Sequence, residues 1–259
     1  MFELYNLSAN EIIGFSMVLM RMSAFVVSMA IVGSEQVPAH AKILLALVLS
    51  LVIYPTLKMT PGQLDGFNGQ IIWVALKEVM VGLILGFISR LFFFAMTVTG
   101  ELVSLSVGLS SEQLLNPTVG GRTSPLQQFH VLLGSLFFLT FNGHYYLIGG
   151  IIESFQAVPI SVEGFHTLSR QFLAEMTGSI LWAGVRMASP IVVAIFCMNL
   201  VMGVMGRAVP QINVLATSLP VNIMVGFVII FMGFPFLVMS IDDVIRQSVG
   251  ELFRAMKTM

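Results

Sequence analysis

The sequence predicts an all-α membrane protein of about six apolar segments, most of which face other protein and not lipid. Three observations lead there. Hydrophobic residues make up 57% of the chain and charged residues 10%, with a mean hydropathy of +0.95, whereas a soluble domain carries about 25% charged residues. The apolar residues also fall in blocks, several of them long enough for a hydrocarbon core of about 30 Å. Finally, Arg21, Lys77, Glu78, Arg90, Glu101 and Arg186 lie within or beside these blocks, and Pro190 and Pro235 fall inside them. A charge at the centre of a lipid-exposed helix costs roughly 2.5–3.5 kcal/mol on insertion scales, so protein or water is expected around these positions.

The first block runs from Ile12 to Gly33 behind Asn10, a good N-cap type, and is about 33 Å long as a helix. The ten residues before it contain no Lys or Arg, and the block is too long for a signal-peptide core, so it is expected to remain as an anchor. Ile43–Leu57 is a shorter second block, and a turn-rich loop at 60–70 follows. Ile71–Thr99 is the third, trailed by a Ser- and Gly-rich stretch from Glu101 to Leu115. Residues 116–125 read as a loop from their Asn-Pro, Gly-Gly and Ser-Pro pairs. Leu126–Ile152 is the fourth block, with a polar segment at 153–177 that includes the amphipathic LSRQFLAEM. Gly178–Gly206 is the fifth, interrupted by Arg186 and Pro190, and RAVPQINVLATSLP is a broken connector to the sixth, Pro220–Ile241. The remainder, 241–259, is an amphipathic tail with Val244, Ile245, Val249, Leu252, Phe253 and Met256 at helical spacing, expected on the membrane surface or against a partner. We treat 1–259 as a single membrane domain. With six spans the termini share a side that holds Lys58, Lys77, Arg170, Arg246, Arg254 and Lys257, against Lys42, Arg122 and Arg207 opposite, which favours a cytoplasmic C-terminus.

Several function classes are excluded or left without support. A net charge of −1 with no basic stripe gives no reason to expect nucleic acid. Cys197 is the only cysteine, so an intrachain disulfide is impossible; its apolar context predicts a small buried residue. None of the histidines, His40, His130, His144 and His166, has metal-ligand spacing, and no HExxH, GxSxG or GxxxxGK[ST] occurs. His130 and His144 stand about 21 Å apart on a continuous helix, unless Asn142-Gly143 breaks it. No enzyme, metal or cofactor is expected.

The charges admit two readings: ion pairs between helices or subunits, which we favour, or an ion relay. Arg90 and Glu101 are about 16 Å apart along one helix and cannot pair with each other, and Lys77 and Glu78 point about 100° apart. Each needs a partner elsewhere. Gly82 and Gly86 form a GxxxG pair, extended loosely by Gly203 and Gly206, that permits close helix packing in an assembly. A stand-alone secondary transporter or channel would also carry broken helices with charges, but FNGH and RAVPQIN have no counterpart in the other half of the chain, so the internal symmetry common in transporters is missing. A purely structural scaffold is the other alternative.

Particular motifs carry a resemblance. FFLTFNGHYYLIGGIIESFQAVPI, residues 137–160, holds Phe141, Asn142, Gly143 and His144, followed by a Ser-Phe and a Val-Pro pair. RAVPQINVLATSLPVNIMVGF, residues 207–227, holds Arg207, Pro210, Gln211, Asn213, Pro220 and Gly226. Weaker matches are Pro38 with Lys42, and Gly100, Glu101 and Gly108. Along nearly its whole length the chain resembles the FliR family, export-gate subunits of the flagellar type III secretion apparatus with counterparts in injectisomes.

The resemblance implies a fused FliP-like and FliQ-like unit of bent helical hairpins in the bacterial inner membrane, within the flagellar basal body. It implies a gate complex with FliP and FliQ, with FlhB around its cytoplasmic side, FlhA coupling export to the proton motive force and rod proteins above, that passes unfolded flagellar subunits outward. It also implies that Gly108–Gly121 plugs the channel. Relatives carry bulky aromatics in this loop, whereas this chain has Ser111, Glu112, Gln113, Leu114 and Leu115 before Asn116-Pro117. Leu114 and Leu115 are then the candidates for an apolar tip, and an ordinary connecting loop is the competing reading.

Overall fold

The computed structural model describes residues 9–30, 32–33, 37–57, 70–110, 124–161, 170–209, 211 and 213–258. In chain order the helices are α1 (Ala9–Ser28), α2 (Ala39–Ile53, continued by a 3₁₀ turn at Tyr54–Leu57), α3 (Ile71–Val107), α4 (Pro125–Thr140), α5 (Gly143–Ala157), α6 (Arg170–Ala208), α7 (Val214–Met232) and α8 (Phe234–Thr258). There is no strand among the described residues. Among the described residues four stretches are long and apolar enough to cross a membrane: Asn10–Ser28, Ala39–Leu57, Ile71–Val107 and Gln171–Ala208. Two further pairs, α4 with α5 and α7 with α8, qualify together but are bent by 69° and 64° at short breaks. The protein is an all-α membrane protein, and among the described residues its apolar blocks correspond to four helices long enough to span and two bent pairs.

The chain divides into two compact units, one of Met1–Arg90, His144–Leu173 and Ser248–Met259, the other of Leu91–Gly143 and Ala174–Gln247. In the first unit the GxxxG pair is used within the chain. A Cβ on Gly82 would strike the Arg21 carbonyl and come within 2.9 Å of Ala24 Cβ, and one on Gly86 would strike Ser28. The two glycines therefore let α1 lie directly on α3. In the second unit Val103, Val107, Leu126, Ala188, Ile191, Ile195 and Ile230 form one buried cluster drawn from α3, α4, α6 and α7.

Several expectations are corrected. Asn10 is not a cap, because α1 already includes Ala9. The Ser- and Gly-rich stretch after Thr99 continues α3 to Val107, since its hydroxyls bond backward within the helix: Thr99 Oγ1 lies 2.8 Å from the Ala95 carbonyl and Ser106 Oγ 2.7 Å from that of Leu102. Pro190 does not interrupt α6. A proline leaves the carbonyl four residues back without its helical donor, and here Ser189 Oγ donates to that carbonyl, of Arg186, at 2.8 Å. The connector between α6 and α7 shrinks to residues 209–213, and Pro220 lies inside α7. In the tail, Val244, Ile245, Leu252 and Met256 are buried within the chain itself, and Leu252 packs where a Cβ on Gly150 would stand. Cys197 is exposed, not buried, because it lies on an outward face of α6.

Candidate functional site

The most built polar site lies in the first unit, around Arg21 and Glu78. Both side chains are fully buried. Arg21 Nε donates to Glu78 Oε2 at 2.5 Å and Nη2 to Oε1 at 2.9 Å, the two-point geometry a planar guanidinium offers a carboxylate. Its remaining donors go to α5 and the turn behind it. Nη1 donates to Ser154 Oγ at 3.1 Å, Nη2 also to the Val158 carbonyl at 2.8 Å, and the Phe155 ring lies 4.1 Å from the guanidinium carbon. Ser154 Oγ in turn donates to the Ile151 carbonyl at 2.6 Å. Next door, half-buried Lys77 donates to the carbonyls of Pro159 and Ser161 at 2.9 and 2.8 Å.

This arrangement gives physical content to the Ser154-Phe155 and Val158-Pro159 pairs. They form a polar and aromatic cage that completes a buried charge pair contributed by α1 and α3. The motif stood out in the sequence, but its partners did not: Arg21 is separated by 133 residues from Ser154 and by 57 from Glu78, and no local spacing signals either contact.

The other charges behave differently. Within the single chain Arg90 and Arg186 are exposed, each on an outward face of its helix. Glu101 is half-buried. No ion pair reaches any of these three among the described residues.

Asn142 sits at the break between α4 and α5 with φ 57°, the left-handed conformation that asparagine tolerates better than most residues. Gly143 follows because a Cβ there would run into the Phe138 ring. Phe141 stacks on Phe137 at 5.8 Å between centroids, and His144 lies against Tyr145 at 4.3 Å, its buried Nδ1 without a hydrogen-bond partner among the described residues. Arg207, in the last turn of α6, and Gln211, in the connector after it, are exposed, and the Asn213 carbonyl accepts both the backbone N–H and the hydroxyl of Thr217 at 3.0 Å, starting α7. Pro210 lies outside the described residues.

The loop residues Ser111, Glu112, Gln113, Leu114, Leu115, Asn116 and Pro117 also lie outside them, but both anchors are described. Gly108, at φ 93°, ends α3, with its own N–H and that of Leu109 both 3.0 Å from the Ser104 carbonyl. This is a helix stop that requires a residue free to take positive φ. Ser104 and Ser110, both buried, then meet hydroxyl to hydroxyl at 2.7 Å. At the other end Ser124 caps α4 by accepting from Gln127 N at 3.2 Å, and Pro125 occupies the first turn. Val103, Val107 and Leu126, beside these caps, belong to the same buried cluster.

Among the described residues no three of His, Cys, Asp and Glu gather as a metal would require. Among the described residues the site is thus one of architecture: a buried clamp, helix breaks, and the capped helix ends at Gly108 and Ser124, within an all-α membrane protein. The chain belongs to the bacterial export proteins, family 1, whose sequence model matches residues 12–248. Its relatives include the flagellar biosynthetic protein FliR of Bacillus subtilis, 28% identical over 92% of this chain and 90% of that protein. The Escherichia coli protein of that name is 30% identical over 80% of this chain and 79% of its own, and that of Aquifex aeolicus 28% over 86% of each.

Proposed function

We propose that this protein is a FliR-type subunit of the flagellar type III export gate in the bacterial inner membrane, with its C-terminus in the cytoplasm. It forms part of the wall of a channel through which unfolded flagellar subunits pass. It assembles with FliP and FliQ, with FlhB around its cytoplasmic side, FlhA coupling export to the proton motive force and rod proteins docking above. The observation that carries this reading is the family match over residues 12–248. The geometry supports it in two ways. Only 17% of the apolar window in α2 and 22% of that in α6 is buried within the chain, so long apolar faces are open to neighbours. Arg90, Glu101 and Arg186 also have no ionic partner among the described residues.

The loop beginning at Gly108 acts as the plug in this proposal. Thirteen residues, 111–123, separate the described anchors. At about 3.5 Å per residue, a segment of that length fixed at both ends reaches roughly 20 Å from its base, enough to cover a narrow pore. Deleting residues 111–116 in the assembled gate is expected to raise ion leakage across the membrane while the subunit composition stays the same. Unchanged conductance in a gate that still assembles contradicts the plug role and leaves a connecting loop.

A further inference from the structure

A polar contact in the second unit belongs to neither the clamp nor the loop. Asn222 on α7 is only 8% exposed and donates through Nδ2 to Asn199 Oδ1 on α6 at 2.8 Å. Its own Oδ1 is buried and has no hydrogen-bond partner among the described residues. Asn199 is exposed, and none of the described residues accepts from its Nδ2. The amide pair is therefore half answered: the inner amide makes one bond, and the outer one has N–H groups left to give.

The setting of Asn199 is apolar. Phe196 and Leu200 beside it, and Val193 and Val204 farther along α6, are all exposed. A continuous apolar face of this kind is covered by lipid or by protein. An acyl chain has no acceptor for an amide N–H, whereas another helix can supply one. One turn beyond Asn199, Gly203 is exposed, with nothing within 4 Å of the place a Cβ would take. The two residues share a face, about 6 Å apart along the axis. Gly82 and Gly86 admit a helix of the same chain, but Gly203 admits none. What it leaves open is the approach of a backbone from outside the chain.

We propose that Asn199 and Gly203 form the contact point for one apolar helix of another subunit, which crosses α6 closely at Gly203 and accepts a hydrogen bond from Asn199 on a neutral side-chain oxygen, that of an amide or a hydroxyl. The proposal rests on the reading of this chain as a gate subunit and names the chemistry of one of its neighbours. A carboxylate in that position would lack a cation. The basic residues of α6 nearest Asn199, Arg207 and Arg186, are 8 and 13 residues away, roughly 12 and 20 Å along the axis. A second copy of this chain fits poorly as well. Asn199 Oδ1 already accepts from Asn222, so two copies meeting here would set donor against donor.

The test uses the full tagged chain, co-expressed with FliP and FliQ and purified in mild detergent. Two quantities are read: retention of the other subunits by native mass spectrometry as the detergent is made harsher, and the SDS-unfolding midpoint of the detergent-solubilised chain. Gly203→Leu is expected to leave the midpoint unchanged and to lower retention about tenfold. Asn199→Leu also strands Asn222, so it is made together with Asn222→Leu, with Asn222→Leu alone as the reference. The reference is expected to keep its partners, because Asn199 still reaches outward, and the double variant to lose them about tenfold. A photo-cross-linker in place of Phe196 is expected to capture another subunit. Unchanged retention in either Gly203→Leu or the double variant overturns the proposal. So does a cross-linker that captures only lipid, or a second copy of this chain. If FliP and FliQ accompany the unaltered chain in those cases, the gate reading stands without this contact; if they do not accompany it at all, both readings fall.

Discussion

Arg21 matters to this chain chiefly through Glu78. Two ions removed from water lose several kcal/mol of hydration each, and the attraction between them recovers that loss only when every remaining donor and acceptor finds a partner. Here four donor contacts of the guanidinium are accounted for, two on Glu78, one on Ser154 and one on Val158. Breaking the pair from either side strands a buried charge. Arg21→Met and Glu78→Leu are each expected to destabilise the detergent-solubilised protein by about 3–5 kcal/mol, read from its SDS-unfolding midpoint, whereas the double variant is expected to recover most of that loss. Equal, additive losses in the cycle would show that the two groups act independently. Asn142 offers a second test at this scale. Its φ of 57° costs a β-branched residue roughly 1–2 kcal/mol and glycine nothing, so Asn142→Val is expected to lower stability and Asn142→Gly to preserve it.

At the scale of elements, α6 and the α1/α3 contact show how polar and small residues keep long apolar helices intact. The Arg186 carbonyl, released by Pro190, accepts from Ser189. Ser189→Ala is expected to cost about 0.5–1.5 kcal/mol, the net worth of an exposed hydrogen bond, and Pro190→Ala, which restores the missing N–H, is expected to rescue it. A Ser189→Ala loss that Pro190→Ala does not repair argues against this account. Gly82→Leu is expected to force α1 from α3 and cost at least about 1–3 kcal/mol, while Gly203→Leu, where a side chain meets open space, is tolerated by the isolated chain. The six blocks were legible because long apolar runs and their interruptions survive any local detail. The break at Asn142-Gly143 was legible from turn chemistry. The continuity of α6 through Pro190 was not, because it depends on one serine hydroxyl turned back onto a carbonyl, and hydropathy carries no trace of that. Helix α8 was read as a block and a separate tail because Asp242 and Asp243 end the apolar run, whereas the backbone continues as helix across them.

At the scale of the molecule, the sequence announced that charges in apolar segments would need protein neighbours, and the outcome differs from one charge to the next. Arg21 and Glu78 find theirs inside the chain. Arg90, Glu101 and Arg186 do not, among the described residues, and periodicity cannot sort the two groups because pairing joins segments far apart in sequence. The open apolar faces of α2 and α6 belong with the second group. A subunit built this way is completed by others, which is the central claim. The most direct test is to co-express the tagged chain with FliP and FliQ from the same genome, purify it in mild detergent and weigh the product by native mass spectrometry. The account predicts one copy of this chain in a large complex with several copies of FliP and FliQ. A monomer or homodimer that associates with neither contradicts it.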